Sequence, residues 1–259
     1  MKKVLLVATV YSHICQFHRP LAEVLKEAGF EIHVAGRDNL AEKNGLKLDF
    51  ADKTFNLPFA RSPLSRSNVK AYKELKKIIE EEGYDYIHCN TPVGGVVTRL
   101  AAKKARKKGA KVFYTAHGFH FYKGASKKNW LIYYPIEKAM AKKCDRLITI
   151  TEEDFLLAKE KFKTDVVHIH GVGVNNLRYH PVAKEESEKM RAAEGLKAED
   201  FIIICTGELN ENKNQITLLR AVANLKDKIP SLKVLLEGFC SQYCDFSNSA
   251  IVFSSNRYL

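Results

Sequence analysis

No apolar run in this 259-residue chain approaches the ~20 residues that a bilayer-spanning helix needs. No export signal is expected either. Met1-Lys2-Lys3 and the apolar Val4 to Val10 have the charge and character of one, but the run is too short. Tyr11-Ser12-His13 follows it with no small-residue cleavage pattern, so it reads as a first strand. Paired cysteine motifs are absent: the six cysteines (15, 89, 144, 205, 240 and 244) are scattered, and Cys240-x3-Cys244 lacks the second pair a zinc site needs. Reduced thiols in the cytoplasm and no metal are the expectations. Neither a DNA-recognition helix nor an RNA-binding aromatic motif is found, so nucleic acid is not an expected partner. The first strand-to-helix connection, Thr9 to Ile14, contains no glycine. A dinucleotide fingerprint needs glycines there for backbone to approach a pyrophosphate, which argues against NAD.

What is present is a globular composition, 46% hydrophobic, with a net charge of +12. The charge is concentrated. Lys103, Lys104, Arg106, Lys107, Lys108 and Lys111 form one run; Lys123, Lys127, Lys128, Lys138, Lys142, Lys143 and Arg146 form another. Each run by itself is compatible with a solvated helix face. Two runs flanking one site point to an anionic neighbour, either a phosphate-bearing substrate or an anionic membrane surface.

Strands alternate with helices over the first ~170 residues, the pattern of a doubly wound α/β domain. Lys3 to Thr9 is apolar enough for a strand buried on both faces of a parallel sheet. Tyr11 to Phe17 reads as a polar loop carrying His13, with His18 just after it. A helix then runs to about Ala28 and is ended by Gly29, and Phe30 to Ala35 is a second strand. Further strands are expected at Lys53 to Leu57, Tyr84 to Cys89, Lys111 to Ala116, Arg146 to Thr151 and Val166 to Ile169. Helices are expected at Val69 to Glu82, Val96 to Lys108 and Asn129 to Lys143, the last interrupted or started late by Pro135. Asn90-Thr91-Pro92 with Gly94 and Gly95 reads as a strand-to-helix loop open to close approach of a ligand. Thr151 and Asp154 have the spacing of a capping box.

The chain is organised around Val112 to Tyr122. Its first half is strand-like. At Ala116 the apolar pattern stops, and His117 and His120 appear around Gly118. In an open α/β sheet, loops at the carboxyl ends of strands bind ligands, and an imidazole there can hydrogen-bond, donate or accept a proton. The alternative is a pair of ordinary loop histidines satisfied by backbone.

Residues 171–184, rich in glycine and asparagine at the start, read as a linker between a domain of residues 1–170 and a second α/β series over 185–238. The second series is about one βαβ unit long, with strands at Phe201 to Thr206 and Leu232 to Leu236. After Gly238 the texture changes: in residues 239–259 only Asp245 and Arg257 are charged. This atypical tail is expected not to belong to the fold before it.

Several short stretches, in order and spacing, carry a family likeness over about residues 1 to 238. They are Val7-Ala8-Thr9 with Ser12-His13-Ile14 and Phe17-His18; Tyr114 to Phe121; Asp145 to Glu153; His170-Gly171-Val172-Gly173-Val174; and Gly207-Glu208-Leu209-Asn210 with Lys213-Asn214. On these the chain resembles the retaining family 4 glycosyltransferases of the GT-B fold, used in capsule, exopolysaccharide and lipopolysaccharide synthesis. The resemblance implies an α/β chain with a complete N-terminal Rossmann-like acceptor domain and a partial nucleotide-sugar-binding domain. It implies transfer from a UDP-sugar to a glycan or polyprenyl-linked acceptor, without metal or cofactor, by a cytoplasmic protein peripheral to the inner membrane face. His117 matches the active-site histidine near the reacting sugar carbon, and Lys213 the cation on the donor diphosphate, with Glu208 and Asn214 beside it. Ser12, His13, His18, Asn90, Thr91, Gly94, Gly95 and His120 are expected on acceptor-side loops. An arginine that family members often carry near Glu208 is missing, as is the acidic donor-gripping segment that follows in longer relatives, so activity is expected to be impaired. The competing readings are a nucleotide-sugar 2-epimerase of the same fold, for which no carboxylate-rich site is seen near His117, and a non-catalytic basic docking module.

Overall fold

The computed structural model describes residues 1–237, except 44, 174, 175, 177, 178, 212 and 226, and the backbone of 251–254. Two compact units divide the chain, residues 1–174 and 175–259. In the first, β1 (Lys2–Val10) leads into α1 (Tyr11–Phe17), α2 (Arg19–Glu27), β2 (Phe30–Arg37), β3 (Lys53–Asn56), α3 (Ser67–Glu82) and β4 (Tyr86–Asn90). It continues with α4 (Pro92–Ala101), α5 (Lys103–Lys107), β5 (Lys111–Ala116), α6 (Lys127–Ala141), β6 (Arg146–Thr149), α7 (Glu152–Lys161) and β7 (Asp165–His168). The strands form one parallel sheet in the order β3-β2-β1-β4-β5-β6-β7. Strand β1 is buried from Val4 to Val10, because helices cover both faces. One apolar cluster joins Leu5, Val7, Leu75, Ile87, Val112 and Leu147; the other joins Val4, Leu6, Ala8, Ile32 and Val34. Strand order reverses direction between β1 and β4, which is the topological switch of such a sheet.

The second unit holds α8 (Lys184–Ala193), β8 (Phe201–Thr206), α9 (Gln215–Ala223), β9 (Leu232–Glu237) and β10 (Ile251–Ser254). Strand β9 pairs parallel with β8 and antiparallel with β10. Of the stretch expected as an atypical tail, 239–250 and 255–259 lie outside the described residues. Among the described residues no helix is long and apolar enough to cross a membrane.

Local expectations fail at several places; the helix expected over Val96 to Lys108 is two, Pro92–Ala101 and Lys103–Lys107. Tyr11 to Phe17 is a helix and not a loop: Tyr11, Ile14 and Cys15 are buried at i, i+3 and i+4, a helical period hidden by the polar residues between them. Gly94 and Gly95 lie inside α4, which starts at Pro92. A Cβ on Gly94 would stand 2.7 Å from Thr91 Oγ1 and 3.0 Å from the Thr9 nitrogen, and one on Gly95 would stand 2.4 Å from the Tyr114 ring. These glycines let the helix lie directly on β1 and β5, so their role is packing. Pro135 sits within a continuous α6.

One turn beyond Gly95, Arg99 is buried across the same contact. Its Nε donates to the Gly95 carbonyl at 2.9 Å and its Nη2 to Glu137 Oε2 at 3.0 Å, while the guanidinium lies 3.9 Å from the centre of the Tyr114 ring. Tyr114 OH also donates to Glu137 Oε1 at 3.4 Å. The pair thus ties α4 to α6 over β5, and breaking one side would leave a buried charge. Replacing Gly95 with alanine is expected to lower stability by about 1–3 kcal/mol, as overpacking does, because the Tyr114 ring is held by this network. Urea unfolding measures it; an unchanged midpoint would refute the packing role.

Candidate active site

The carboxyl edge of the large sheet, at the β1/β4 switch, collects four imidazoles and one carboxamide. They arrive on four pieces of backbone. His13 comes from α1 and His18 from the junction of α1 and α2. His88 and Asn90 stand two apart on β4, hence on one face of the strand. His117 follows β5.

Asn90 is fully buried, and its Nδ2 donates to the Val7 carbonyl at 3.4 Å. That turns Oδ1 toward the imidazoles: it accepts from His18 Nε2 at 2.9 Å and lies 3.4 Å from His117 Nε2. His117 Nε2 is also 3.2 Å from His13 Nε2. Two N–H groups cannot point at each other, so at most one of these two Nε2 atoms carries a proton. Both contacts are satisfied when His117 carries the proton on Nε2 and His13 accepts. Phe17 covers the pair, its ring centre 4.8 Å from that of His13 and 5.4 Å from that of His117. His88 packs beneath His18, ring centres 5.4 Å apart, and its Nε2 meets Thr115 Oγ1 at 2.8 Å.

Desolvation dominates the electrostatics. Burial, then the neighbouring His117 and His18, pushes the pKa of His13 down to about 3. Burial lowers that of His18 to about 4 against the opposing hydrogen bond to Asn90. His88 falls to about 3 through burial and the surrounding imidazoles, and burial alone lowers His117. The cluster is therefore a neutral, hydrogen-bonding surface at pH 7. Among the described residues no group of three or more His, Cys, Asp or Glu is arranged to hold a metal ion.

The loop bearing His117 is clamped. Gly118 takes a φ of +118°, and the Phe119 N–H donates to Asp154 Oδ2 at 3.1 Å. Asp154 sits in the first turn of α7, where its own N–H donates to Thr151 Oγ1 at 3.3 Å, as the capping spacing predicts. Phe119 and Phe121 are buried and stacked, ring centres 4.7 Å apart.

The other expected residues divide. Ser12 is buried and tied to Asn39, which accepts from its N–H at 3.1 Å and donates to its Oγ at 2.9 Å; it sits in α1 and not on a loop. Thr91 adopts a φ of +64° while its Oγ1 accepts from the Thr9 N–H at 3.0 Å, pinning the start of α4 to β1. His120 is exposed with its ring 4.7 Å from that of Tyr133, and no described contact joins it to the cluster. In the second unit, Glu208, Lys213 and Asn214 share the β8–α9 turn. The Lys213 N–H donates to Asn210 Oδ1 at 2.9 Å, its stem passes beside Gly207, and its ammonium end is exposed. Asn214 takes a φ of +52° at the start of α9 and accepts from Thr217 Oγ1 at 3.0 Å; Gln215 Nε2 donates to the Glu208 carbonyl at 3.0 Å. Sequence reasoning missed His88 and Phe17. For His88, the two-residue spacing to Asn90 was the available signal.

Imidazoles buried neutral must charge on acid unfolding. Their folded pKa values lie below the ordinary 6.5, so the unfolded chain binds more protons between about pH 3 and 6.5. Stability is expected to be fully present above pH 6.5 and to decline as the pH falls through that window, by up to about 1.4 kcal/mol per pH unit per imidazole. Urea titrations at stepped pH measure the slope. Asn90→Asp, which places a carboxylate beside His18 and His117, is expected to raise both pKa values in imidazole NMR spectra; unmoved titrations would refute the contact.

Residues 3–151 match the family described as Glycosyl transferase 4-like. The chain is 47% identical over 239 residues to EpsD of Bacillus subtilis (strain 168), whose name assigns it to the glycosyltransferases, covering 92% of this chain and 61% of that protein. It is 26% identical over 207 residues to the UDP-Gal:alpha-D-GlcNAc-diphosphoundecaprenol alpha-1,3-galactosyltransferase of Escherichia coli, covering 77% of this chain and 51% of the relative. It thus spans between half and two thirds of the length of these curated relatives. The fold is shared with the UDP-GlcNAc 2-epimerase of Neisseria meningitidis, at a TM-score of 0.61 and 12% identity over 91% of this chain and 65% of that one. With the matched residues taking in β1, β4, β5 and the His117 loop, the chain belongs to the glycosyl transferase 4-like family.

Proposed function

We propose that the protein takes part in transfer of a sugar from a UDP-sugar to a hydroxyl of a glycan or polyprenyl-linked acceptor, in surface polysaccharide synthesis. The observation that carries this reading is the His13–His117–Asn90 constellation at the switch point of a family 4-like sheet. In the transfer, the bond from the sugar carbon to the diphosphate breaks, one to the acceptor oxygen forms, and the acceptor's hydroxyl proton passes to the departing diphosphate. The sugar becomes oxocarbenium-like and the diphosphate gains charge. A neutral His117 at that point offers a directional hydrogen bond to a sugar hydroxyl without placing a cation beside a positive centre. Asn90 and His13 fix which nitrogen carries the proton. Lys213, with its ammonium free, is assigned to the diphosphate, supported by the N–H groups at the start of α9. Glu208 and Asn214 shape that turn. On this reading the chemistry is retaining and uses no metal, as the family resemblance implies. His18 and Asn90 are positioning groups; Ser12, Thr91, Gly94 and Gly95 hold the backbone under them.

The test measures binding and transfer separately. Calorimetric titration of the chain with UDP-sugars is expected to show binding that Lys213→Ala weakens about tenfold or more, the scale of a lost charge-assisted contact. Transfer of labelled sugar to glycan or polyprenyl-diphosphate acceptors is expected to fall at least a hundredfold in His117→Ala, with donor binding largely kept. The reading is overturned by a chain that neither binds nor transfers from UDP-sugars. Conversion of a UDP-sugar to its epimer without any acceptor would overturn it in favour of an isomerase.

A further inference from the structure

The two basic runs of the sequence meet in space. A depression of about 470 Å³ lies between α5 and the carboxyl end of α6, and Arg99, Lys103, Lys107, Lys142 and Lys143 stand on its wall. It opens at the amino edge of the large sheet: Lys107 and Lys143 come just before β5 and β6, whereas His117 follows β5. The length of the six-residue β5, about 17 Å, separates it from the imidazoles.

The wall is held in shape by Arg106. Its Nε donates to Asp145 Oδ1 at 3.1 Å, its Nη1 to the Lys142 carbonyl at 2.9 Å and its Nη2 to the Cys144 carbonyl at 3.1 Å, which fastens α5 to the turn after α6. Asp145, the carboxylate on the wall, is committed on both oxygens, since Oδ2 accepts from the Val112 N–H at 2.8 Å. Among the described residues no carboxylate pairs with Lys103, Lys107, Lys142 or Lys143. Lys103 and Lys107 lie one helical turn apart on the same face of α5. Four like charges are thus gathered without a counter-charge, an arrangement that repels itself. Lysines at helix ends complement the helix dipole, which accounts for Lys107 and Lys142. It does not account for Arg99. That side chain is only 1% exposed, the most buried on the wall. Gly95 and Glu137 take its Nε and Nη2, while its buried Nη1 has no hydrogen-bond partner. A guanidinium carries five N–H donors, and buried donors are ordinarily satisfied. Nη1 is the part of this one left for an acceptor arriving in the depression.

We propose that the depression binds a free oligophosphate, of the class of pyrophosphate or tripolyphosphate, with Arg99 Nη1 at its floor and the four ammonium groups around the ligand's oxygens. The wall selects the class. It presents cationic donors to phosphate oxygens, but no aromatic ring on which a base could stack and no uncommitted carboxylate for sugar hydroxyls. A ligand there bridges α5 to the end of α6 and reinforces the link that Arg99 and Glu137 make between α4 and α6. The inference goes beyond the transfer reaction and does not rest on it.

Calorimetric titration with tripolyphosphate in about 0.15 M NaCl tests it. Both the whole chain and its Lys213→Ala variant are titrated, so that a diphosphate site in the second unit is not mistaken for this one. Binding is expected in both, one-to-one in the variant. In that background Lys107→Gln/Lys143→Gln should weaken it about tenfold or more. Lys127→Gln/Lys128→Gln removes the same charge at the other end of α6 and should leave it unchanged. Tripolyphosphate should also move the Arg99 Nε–H resonance in NMR spectra. Absence of binding in the Lys213→Ala chain would overturn the proposal. So would equal losses in the two lysine pairs, which would mean a diffuse basic surface, or an unmoved Arg99 signal at saturation. Displacement of tripolyphosphate by phosphatidylglycerol vesicles would overturn the free ligand in favour of a lipid headgroup.

Discussion

The candidate site depends on the orientation of one buried carboxamide. Asn90 sits at the tip of β4 with no exposed surface. Its amide nitrogen is committed to the backbone of β1, so its oxygen can only face the imidazoles. A polar group this deep has to be hydrogen-bonded, and the bond it makes fixes the tautomer of His18 and the direction of His117. Through His117 the constraint reaches His13, and with it α1. Three connections distant in sequence are thereby registered on a single atom.

That registration holds because the elements beneath it cannot slide. Helix α4 approaches β1 and β5 so closely that two of its positions have no room for a Cβ. The Arg99–Glu137 pair then fastens the same helix to α6 across Tyr114. An ion pair of this kind need not raise net stability, but it is strict about geometry, since each partner left alone would be an unpaired buried charge. On the other flank, Asp154 and the stacked Phe119 and Phe121 hold the His117 loop from below.

Charge is sorted in space as well. The imidazoles at the sheet edge are driven neutral by burial and by one another. Positive charge in the first unit is carried by other groups, among them the exposed lysines of α5 and α6. Desolvation is what keeps the imidazole surface uncharged.

The sequence by itself determined the alternation of strands and helices, the burial of β1 on both faces, the end of the second helix at Gly29, the cap at Thr151 and the placing of His117 at a strand end. These follow from local periodicity, glycine conformation and side-chain length, all of which act within a few residues. Only the tertiary structure decided that Tyr11 to Phe17 is helical, because the burial of Tyr11, Ile14 and Cys15 comes from β1 and β2 beside them. It decided that Gly94 and Gly95 serve packing, since the atoms that exclude a Cβ belong to Thr9 and Tyr114. It also decided that the rings of His13 and His117, more than a hundred residues apart, meet nitrogen to nitrogen while His120 turns to Tyr133. Contacts between distant strands and helices have no period in the chain; they exist only once the parallel sheet has set its strands side by side.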